Sequence, residues 1–144
     1  YEHSVIGLNG RLDTLQAAVL SVKLRHFDEE IIQRNQIASW YTNHLKALVQ
    51  TPVLLAENTS VWAQYSVRHQ NRDVLRDKLL QKSIPTAVHY PIPLHEQKAF
   101  AYLKVENDYP VTKTVSQEIF SLPMHPFLKK EDIEYIAGTI RSAV

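Results

Sequence analysis

Residues 61–69 of the chain read Val61-Trp62-Ala63-Gln64-Tyr65-Ser66-Val67-Arg68-His69. Apolar residues occupy the odd-numbered positions through 67, and polar residues occupy positions 64, 66 and 68. Since successive side chains of a strand point to opposite faces, this alternation predicts a strand with one buried face. The strand decides the fold class, because the segments before it have helical spacing instead.

Two helices are predicted before this strand. The first covers residues 11–26, with Asn9 or Gly10 placed to cap it. Its apolar positions are Leu12, Leu15, Val19 and Val22. The second begins at the acidic run 28–30, which suits the first turn of a helix, and ends before Pro52.

Shorter elements follow the strand. The sequence predicts a helix at about 74–79, a strand at 84–89, a helix from Pro110 to Ile119, a strand at 120–122 and a helix at about 133–140. Pro91 stops the second strand, because proline cannot donate to a ladder. The order predicts an α+β fold in one domain over residues 1–144, with long helices packed on a small, mainly antiparallel sheet.

Composition restricts the function classes. The chain has 144 residues, 44% hydrophobic and 22% charged, which is typical of one globular domain. A net charge of +1 disfavours nucleic-acid binding, and the lack of cysteine excludes disulfides and cysteine nucleophiles. No apolar run approaches the ~18 residues of a membrane span. We therefore expect a cytoplasmic protein without a membrane partner, and a piece of a longer one, because the chain begins at Tyr1.

Two common kinds of site are also disfavoured. Three glycines, at positions 7, 10 and 138, cannot build a glycine-rich phosphate loop. The seven histidines include no pair three or four residues apart. No two of them share a helix face as metal ligands do, so no metal site is predicted.

Two local clusters suit binding. In the run 7–13, the fork of Arg11 can hold a phosphate or carboxylate, although a plain capped helix explains the same residues. In the run 89–95, His89 and Tyr90 lie on a proline-stiffened loop after a strand, where sites are often found. The alternative is that these two residues only close the sheet edge.

Five segments, taken together, carry a family resemblance. They are Gly7–Ala18, Arg34 with Tyr41, Val61–Tyr65, Ile84–His95 and Ser121–Leu128. This pattern spans essentially the whole chain and resembles the C-terminal portion of the DegT/DnrJ/EryC1/StrS family of nucleotide-sugar aminotransferases. Residues 61–65 and 89–94 are most similar to the branch that aminates UDP-2-acetamido-3-oxo-glucuronate at C3.

The resemblance implies a pyridoxal 5'-phosphate enzyme of the aspartate-aminotransferase type (fold type I). This chain would be its small C-terminal domain with the connecting helix at about 11–26, and the N-terminal domain that bears the cofactor and its lysine would be absent. None of the nine lysines stands in the family's cofactor-lysine motif. The isolated chain is therefore predicted to be inactive, with no catalytic residue of its own.

The resemblance also implies roles for four residues. Family sites lie at a homodimer interface, so Asn9 would reach the cofactor phosphate of the partner subunit. Arg11 would lie near anionic groups of the substrate, and His89 and Tyr90 would line the sugar-nucleotide pocket. Amide, guanidinium, imidazole and phenol groups suit the oxygen atoms of such ligands.

The implied function is transfer of an amino group, from glutamate, to a keto nucleotide sugar for cell-surface polysaccharide or related sugar biosynthesis. The alternative is a non-catalytic dimerisation or ligand-binding module derived from the same fold. One departure from the family pattern concerns the backbone. Ser83 stands where the family usually has the glycine that ends a helix, which costs left-handed freedom.

Overall fold

The computed structural model of the chain describes residues 8, 10–103 and 109–144. The elements are α1 (Thr14–Leu24), α2 (Phe27–Leu45), β1 (Tyr65–Arg68), α3 (Arg72–Gln81), two short 3₁₀ helices (Leu94–Glu96 and Lys98–Leu103), α4 (Pro110–Glu118), β2 (Ile119–Leu122) and α5 (Lys130–Arg141). The helices α2 and α3 both pack on α5, beside a small antiparallel sheet. This arrangement confirms the predicted α+β class.

The sheet consists of β1 and β2, paired antiparallel. Tyr65 lies opposite Leu122, and Val67 lies opposite Phe120. All four side chains are buried, so they form the inner face of the sheet. The alternation that predicted a half-buried strand is confirmed for residues 65–68.

The core lies between this face and the helices. α2 and α5 make the most contacts among the helices, and α3 also packs on α5. The helical side chains that are completely or almost completely buried include Tyr41, Leu45, Leu75, Leu79, Ile133 and Ile140. The apolar side chains that the helical spacing places on one face of each helix therefore face the sheet, as in other amphipathic helices.

The predicted strand at 84–89 is wrong. Only Ala87 pairs, in an isolated bridge with Ser121 of β2. Pro85 has no N–H to donate, and the N–H of Ile84 is already bonded to the Leu79 carbonyl at 2.9 Å. The segment therefore lies along β2 as an extended chain with one point of pairing.

The turn after α3 is closed by backbone hydrogen bonds. The N–H of Ser83 donates to Leu80 O and the N–H of Ile84 donates to Leu79 O, both at 2.9 Å. This pair of bonds is a Schellman motif, which needs a left-handed residue after the helix. Ser83 is that residue, with φ of 59°, so the departure from glycine noted in the sequence falls on a position that uses left-handed backbone.

Two other boundaries differ from the predictions. The strand predicted at 61–69 begins only at Tyr65, because Trp62 has a left-handed φ of 46° that interrupts extended backbone. α1 begins at Thr14, and its cap is Asp13, whose Oδ1 accepts from the N–H of Leu15 at 3.3 Å. The predicted caps at Asn9 and Gly10 are wrong, since the helix starts later.

α1 differs from the other long helices because none of its residues is buried. Its main contact with the remaining elements is with α2. The apolar side chains of this region are between 48% and 79% exposed: Leu12, Leu15, Val19, Leu20, Val22 and Leu24. Across the described parts of the chain, no helix has the length and apolar character needed to cross a membrane.

Candidate functional site

The outer face of the sheet carries the candidate site. Alternation places Ser66 of β1 and Ser121 of β2 on this face, directly opposite each other. Their Oγ atoms lie 2.9 Å apart, within hydrogen-bond distance. The segment that bridges to β2 at Ala87 continues along the chain to His89 and Tyr90.

His89 contacts the hydroxyl pair directly. Its Nδ1 lies 3.4 Å from Ser121 Oγ, so one ring nitrogen is engaged by the sheet. The ring of Tyr90 stands edge-on to the imidazole, with ring centroids 6.0 Å apart. Tyr90 is 76% exposed, which leaves its hydroxyl available to a ligand.

Both residues line a cleft beside α4, which we name the α4 cleft. Its volume is about 310 Å³. Most of its remaining lining is apolar and comes from Ile92, Pro93, Leu94, Val111, Val115 and Ile119. The imidazole and phenol, with the hydroxyls of Thr112 and Ser116, are its polar groups. An apolar cleft with a few polar groups is the usual form of a small-molecule site.

His89 also lines a second cleft, which we name the sheet cleft. This cleft has a volume of about 260 Å³. Its polar lining comes from Gln64, Thr86, Ser121 and His89. The His89 imidazole therefore stands between two clefts, one mainly apolar and one with amide and hydroxyl groups.

Arg34 of α2 connects the two rims of the sheet cleft. Its Nη1 donates to Trp62 O at 3.0 Å and to Met124 O at 3.4 Å. Asn35 supports the same rim, because its Oδ1 accepts from Trp62 Nε1 at 3.0 Å. These bonds hold Ala63 and Met124, which line the cleft, at a fixed separation.

Tyr41 supports the site from below. Its hydroxyl donates to Pro123 O at 2.9 Å, next to the lining of the sheet cleft. Burial raises the pKa of Tyr41 above its ordinary value of 10.0, and the neighbouring Tyr65 contributes to the same rise. Burial also raises the pKa of Tyr65. Both phenols are therefore neutral hydrogen-bonding groups of the core and are not acid or base groups at neutral pH.

The four residues singled out from the sequence are not all brought together. His89 and Tyr90 are adjacent in the α4 cleft. Arg11 is exposed ahead of α1 and lines neither cleft. Asn9 lies outside the described residues. Within the described ranges, no three His, Asp or Glu side chains are grouped as metal ligands.

Sequence reasoning assigned no role to Ser66, Ser121 or Arg34. Arg34 and Ser121 lie in segments that carry the family resemblance, so a signal for both was present. Ser66 shows only as a polar position of an alternating strand. Its pairing with Ser121, 55 residues further along the chain, follows from the register of the sheet.

Comparison with protein families and curated relatives places the whole chain in one group. The sequence pattern of the DegT/DnrJ/EryC1/StrS aminotransferase family matches residues 1–141. The UDP-2-acetamido-2-deoxy-3-oxo-D-glucuronate aminotransferase of Pseudomonas aeruginosa is 44% identical over 141 residues, covering 97% of this chain and 39% of that protein. The dTDP-3-amino-3,6-dideoxy-alpha-D-galactopyranose transaminase of Aneurinibacillus thermoaerophilus is 35% identical with the same coverage. The chain thus spans about two fifths of the length of these relatives and matches their C-terminal portion.

Solved structures give the same result for the fold. A DegT DnrJ EryC1 StrS aminotransferase from Brucella abortus superposes with a TM-score of 0.89 at 42% identity, covering 99% of this chain and 38% of that one. The S. venezuelae protein DesV, solved in complex with a ketimine intermediate, also has a TM-score of 0.89, at 33% identity, covering 99% of this chain and 39% of that one. The predicted family and the predicted fold type are therefore confirmed.

Proposed function

We propose that this chain, which belongs to the DegT/DnrJ/EryC1/StrS aminotransferase family, is the C-terminal part of an enzyme that transfers an amino group to a keto nucleotide sugar. The observation that carries the proposal is the pairing of His89 and Tyr90 on one cleft of a chain whose relatives are named as nucleotide-sugar aminotransferases. We take glutamate as the amino donor and polysaccharide or related sugar biosynthesis as the setting.

The donor set at the clefts suits a sugar. Imidazole, phenol, amide and hydroxyl groups bond to hydroxyl, carbonyl and carboxylate oxygens, which a keto sugar offers in large number. The apolar lining of the α4 cleft suits the ring faces of the ligand. Among substrates of this class we favour UDP-2-acetamido-3-oxo-glucuronate, because the relative at 44% identity is named for it.

In this proposal the same donor set does not hold the cofactor. Pyridoxal 5'-phosphate, when bound, supplies the aldehyde that carries the amino group between the two substrates. No lysine that the structure describes lines either the α4 cleft or the sheet cleft. The cofactor therefore belongs with an N-terminal lysine domain, and this chain contributes Asn9 as a donor to its phosphate across a subunit interface.

Arg11 completes the proposed set. It lies at the start of the segment that leads into α1, where its guanidinium is exposed and suited to a phosphate or carboxylate of the substrate. Arg11 lines neither of the clefts that His89 lines, so in this proposal the two residues serve sites on different sides of a subunit interface. We accordingly propose a homodimer, in the cytoplasm as the composition led us to expect.

The exposed surface of α1 supports both the proposed homodimer and the proposed N-terminal domain. Its five large apolar side chains, and Leu12 just before it, are roughly half to four fifths exposed, which is unfavourable for a helix that faces only water. In this proposal α1 is the connecting helix of a small domain over residues 1–144. Its apolar side chains are covered by the N-terminal domain and by the partner subunit.

The proposal is tested by the two half-reactions of the full-length enzyme, measured separately by stopped-flow. We expect His89→Ala and Tyr90→Phe each to lower kcat/KM for the keto sugar about tenfold or more, since sugar oxygens lose their partners. The glutamate half-reaction should stay within a few-fold of wild type. Equal loss in both half-reactions would remove these residues from the sugar pocket.

Matched controls exist for both changes. Tyr102→Phe makes the same substitution at a phenol that is 74% exposed and lines neither cleft. His125→Ala removes an exposed imidazole that also lines neither of them. Neither control should change either half-reaction.

A second experiment separates the enzyme from a non-catalytic module. The isolated chain is mixed with pyridoxal phosphate, reduced with borohydride and mapped by mass spectrometry. We expect no stoichiometric lysine adduct in this chain and one at a lysine of the N-terminal domain in the full-length protein. A full-length protein without such a lysine would support the non-catalytic alternative.

A further inference from the structure

Ser121 is a buried polar residue in a strand of apolar neighbours. It is 6% exposed, whereas the other residues of β2 are Ile119, Phe120 and Leu122. Its backbone is fixed by Ala87, because its N–H donates to Ala87 O at 2.7 Å and its carbonyl accepts from the N–H of Ala87 at 3.2 Å. A buried hydroxyl is costly unless it is bonded. Here it is bonded twice, to Ser66 and to His89.

The three groups form a short chain of hydrogen bonds. Ser66 Oγ lies 2.9 Å from Ser121 Oγ, which lies 3.4 Å from His89 Nδ1. A hydroxyl has one hydrogen to donate and two lone pairs to accept with. The single hydrogen of Ser121 therefore goes either to His89 or to Ser66, and this choice decides which nitrogen of a neutral His89 carries the proton.

Counting hydrogens favours one direction. If Ser66 donates to Ser121 and Ser121 donates to His89 Nδ1, both hydroxyl hydrogens are used within the chain of bonds. In the opposite direction the hydrogen of Ser66 leaves the chain of bonds, and no other acceptor for it lies among the described residues, so this half-buried hydroxyl would donate to solvent. The first direction leaves Nδ1 as an acceptor and puts the ring proton on Nε2.

We propose that Ser121, supported by Ser66, is a positioning residue that holds neutral His89 in the Nε2–H form, so that the imidazole donates a hydrogen bond from Nε2 to a ligand oxygen in the clefts it lines. The identity of that ligand, an oxygen-rich sugar, rests on the proposed function. The tautomer does not, because it follows from contacts within this chain alone. A fixed donor favours substrates with carbonyl, carboxylate or hydroxyl oxygens at this point.

The tautomer is measured by two-bond ¹H–¹⁵N correlation NMR on the 144-residue chain labelled with ¹⁵N-histidine. Spectra are recorded at about pH 8.5, where an ordinary histidine is neutral. The signals of His89 are identified by their loss in His89→Gln. We expect wild-type His89 to show almost only the Nε2–H pattern of nitrogen shifts.

Variants separate positioning from general structure. Ser121→Ala should move the His89 shifts to those of a short histidine peptide in the same buffer, and Ser121→Thr, which keeps the hydroxyl, should restore the wild-type pattern. Ser66→Ala should give a smaller change in the same direction, because Ser121 keeps its bond to His89. Ser142→Ala is the control, since that hydroxyl donates to Thr139 O at 2.9 Å, at the end of α5, and is not part of this chain of bonds.

Two results would overturn the inference. One is an Nδ1–H pattern for His89 in the wild-type chain, and the other is a set of His89 shifts that Ser121→Ala leaves unchanged. Neither requires substrate, cofactor or activity. Failure of this inference is thus distinguishable from failure of the proposed function, which the two half-reactions test.

Discussion

α1 and α5 are similar in sequence pattern and opposite in environment. α1 has 11 residues and α5 has 12, and both carry apolar side chains at helical spacing. α5 buries Ile133, Ile136, Ala137 and Ile140 against α2 and α3. α1 buries none of its residues, and its main contact is with α2.

The difference shows that periodicity identifies a face to be buried but not the surface that buries it. For α5 that surface belongs to the same chain. For α1, the proposed function assigns it to the N-terminal domain and the partner subunit. α1 is therefore expected to contribute little to the folding free energy of the isolated chain, whereas α5 and its neighbours supply most of it.

The test with the largest expected change in stability makes the same substitution in both environments. Leu79 of α3 is completely buried beside α5, and Leu15 of α1 is 79% exposed. We expect Leu79→Ala to lower the free energy of unfolding by about 2–5 kcal/mol, because it removes buried methyl groups and leaves a cavity. Leu15→Ala should change it by no more than about 0.5 kcal/mol.

Urea titration of the isolated chain measures both values. Comparable losses in the two variants would show that α1 packs on its own chain in solution, which would contradict the comparison. In the full-length protein Leu15→Ala should become costly, and that reversal would support the covering of α1 by the rest of the enzyme.

A second test concerns the buried phenol of Tyr41, which belongs to the same packed core as α5. Loss of its hydrogen bond to Pro123 O in Tyr41→Phe should cost about 1 kcal/mol at neutral pH.

Burial raises the folded-state pKa of Tyr41 above the ordinary 10.0. Above pH 10 the unfolded chain therefore releases this proton first, so stability falls as pH rises, by up to about 1.4 kcal/mol per pH unit.

Urea titrations at pH 9, 10 and 11 should thus show a shallower fall for Tyr41→Phe than for wild type. Tyr65 adds to the fall in both proteins, because burial raises its pKa as well. Tyr102→Phe, at an exposed phenol, serves as control and should keep the wild-type slope. A Tyr41→Phe slope equal to wild type would contradict burial of this phenol.

The inner face of the sheet was predictable from the sequence because it depends on a local pattern. Tyr65 and Val67 alternate with polar residues, and a period of two fixes their common face wherever the strand pairs. The strand expected at 84–89 was not predictable in the same way. Its pairing is decided by the turn at Ser83, which commits the N–H of Ile84 to α3, and by Pro85.

The candidate site likewise combines residues with a local sequence signal and residues that meet only in the folded chain. His89 and Tyr90 were predictable because a proline-stiffened loop after an extended segment is a local signal. Their partners were not, since Ser66 and Ser121 meet only through the register of strands 55 residues apart. Arg34 joins rims that are close only in the folded chain.

A third test uses the turn at Ser83, which follows α3 in the packed core. A side chain at left-handed φ costs about 1–2 kcal/mol, partly offset by the greater freedom of glycine in the unfolded chain. Ser83 has a φ of 59°. Because glycine adopts this conformation without strain, Ser83→Gly should raise the free energy of unfolding by about 0.5–1 kcal/mol. Ser83→Ala keeps the β-carbon and should give no gain. A loss of stability in Ser83→Gly would show that the serine side chain itself stabilises the turn.

The smallest expected effect on stability lies at the helix caps, and it separates α1 from α5 most directly. In α5 the Oδ2 of Asp132 accepts from the N–H of Lys129 at 2.8 Å, and in α1 the Oδ1 of Asp13 accepts from the N–H of Leu15 at 3.3 Å. Because α5 is part of the core, Asp132→Ala should lower the free energy of unfolding by about 0.5 kcal/mol. Because α1 buries none of its residues, Asp13→Ala should leave the urea midpoint unchanged and lower only the helical circular dichroism signal, by fraying a helix that is expected to unfold separately. A midpoint shift in Asp13→Ala as large as that in Asp132→Ala would mean that α1 unfolds together with the core, and the division between the two regions would fail.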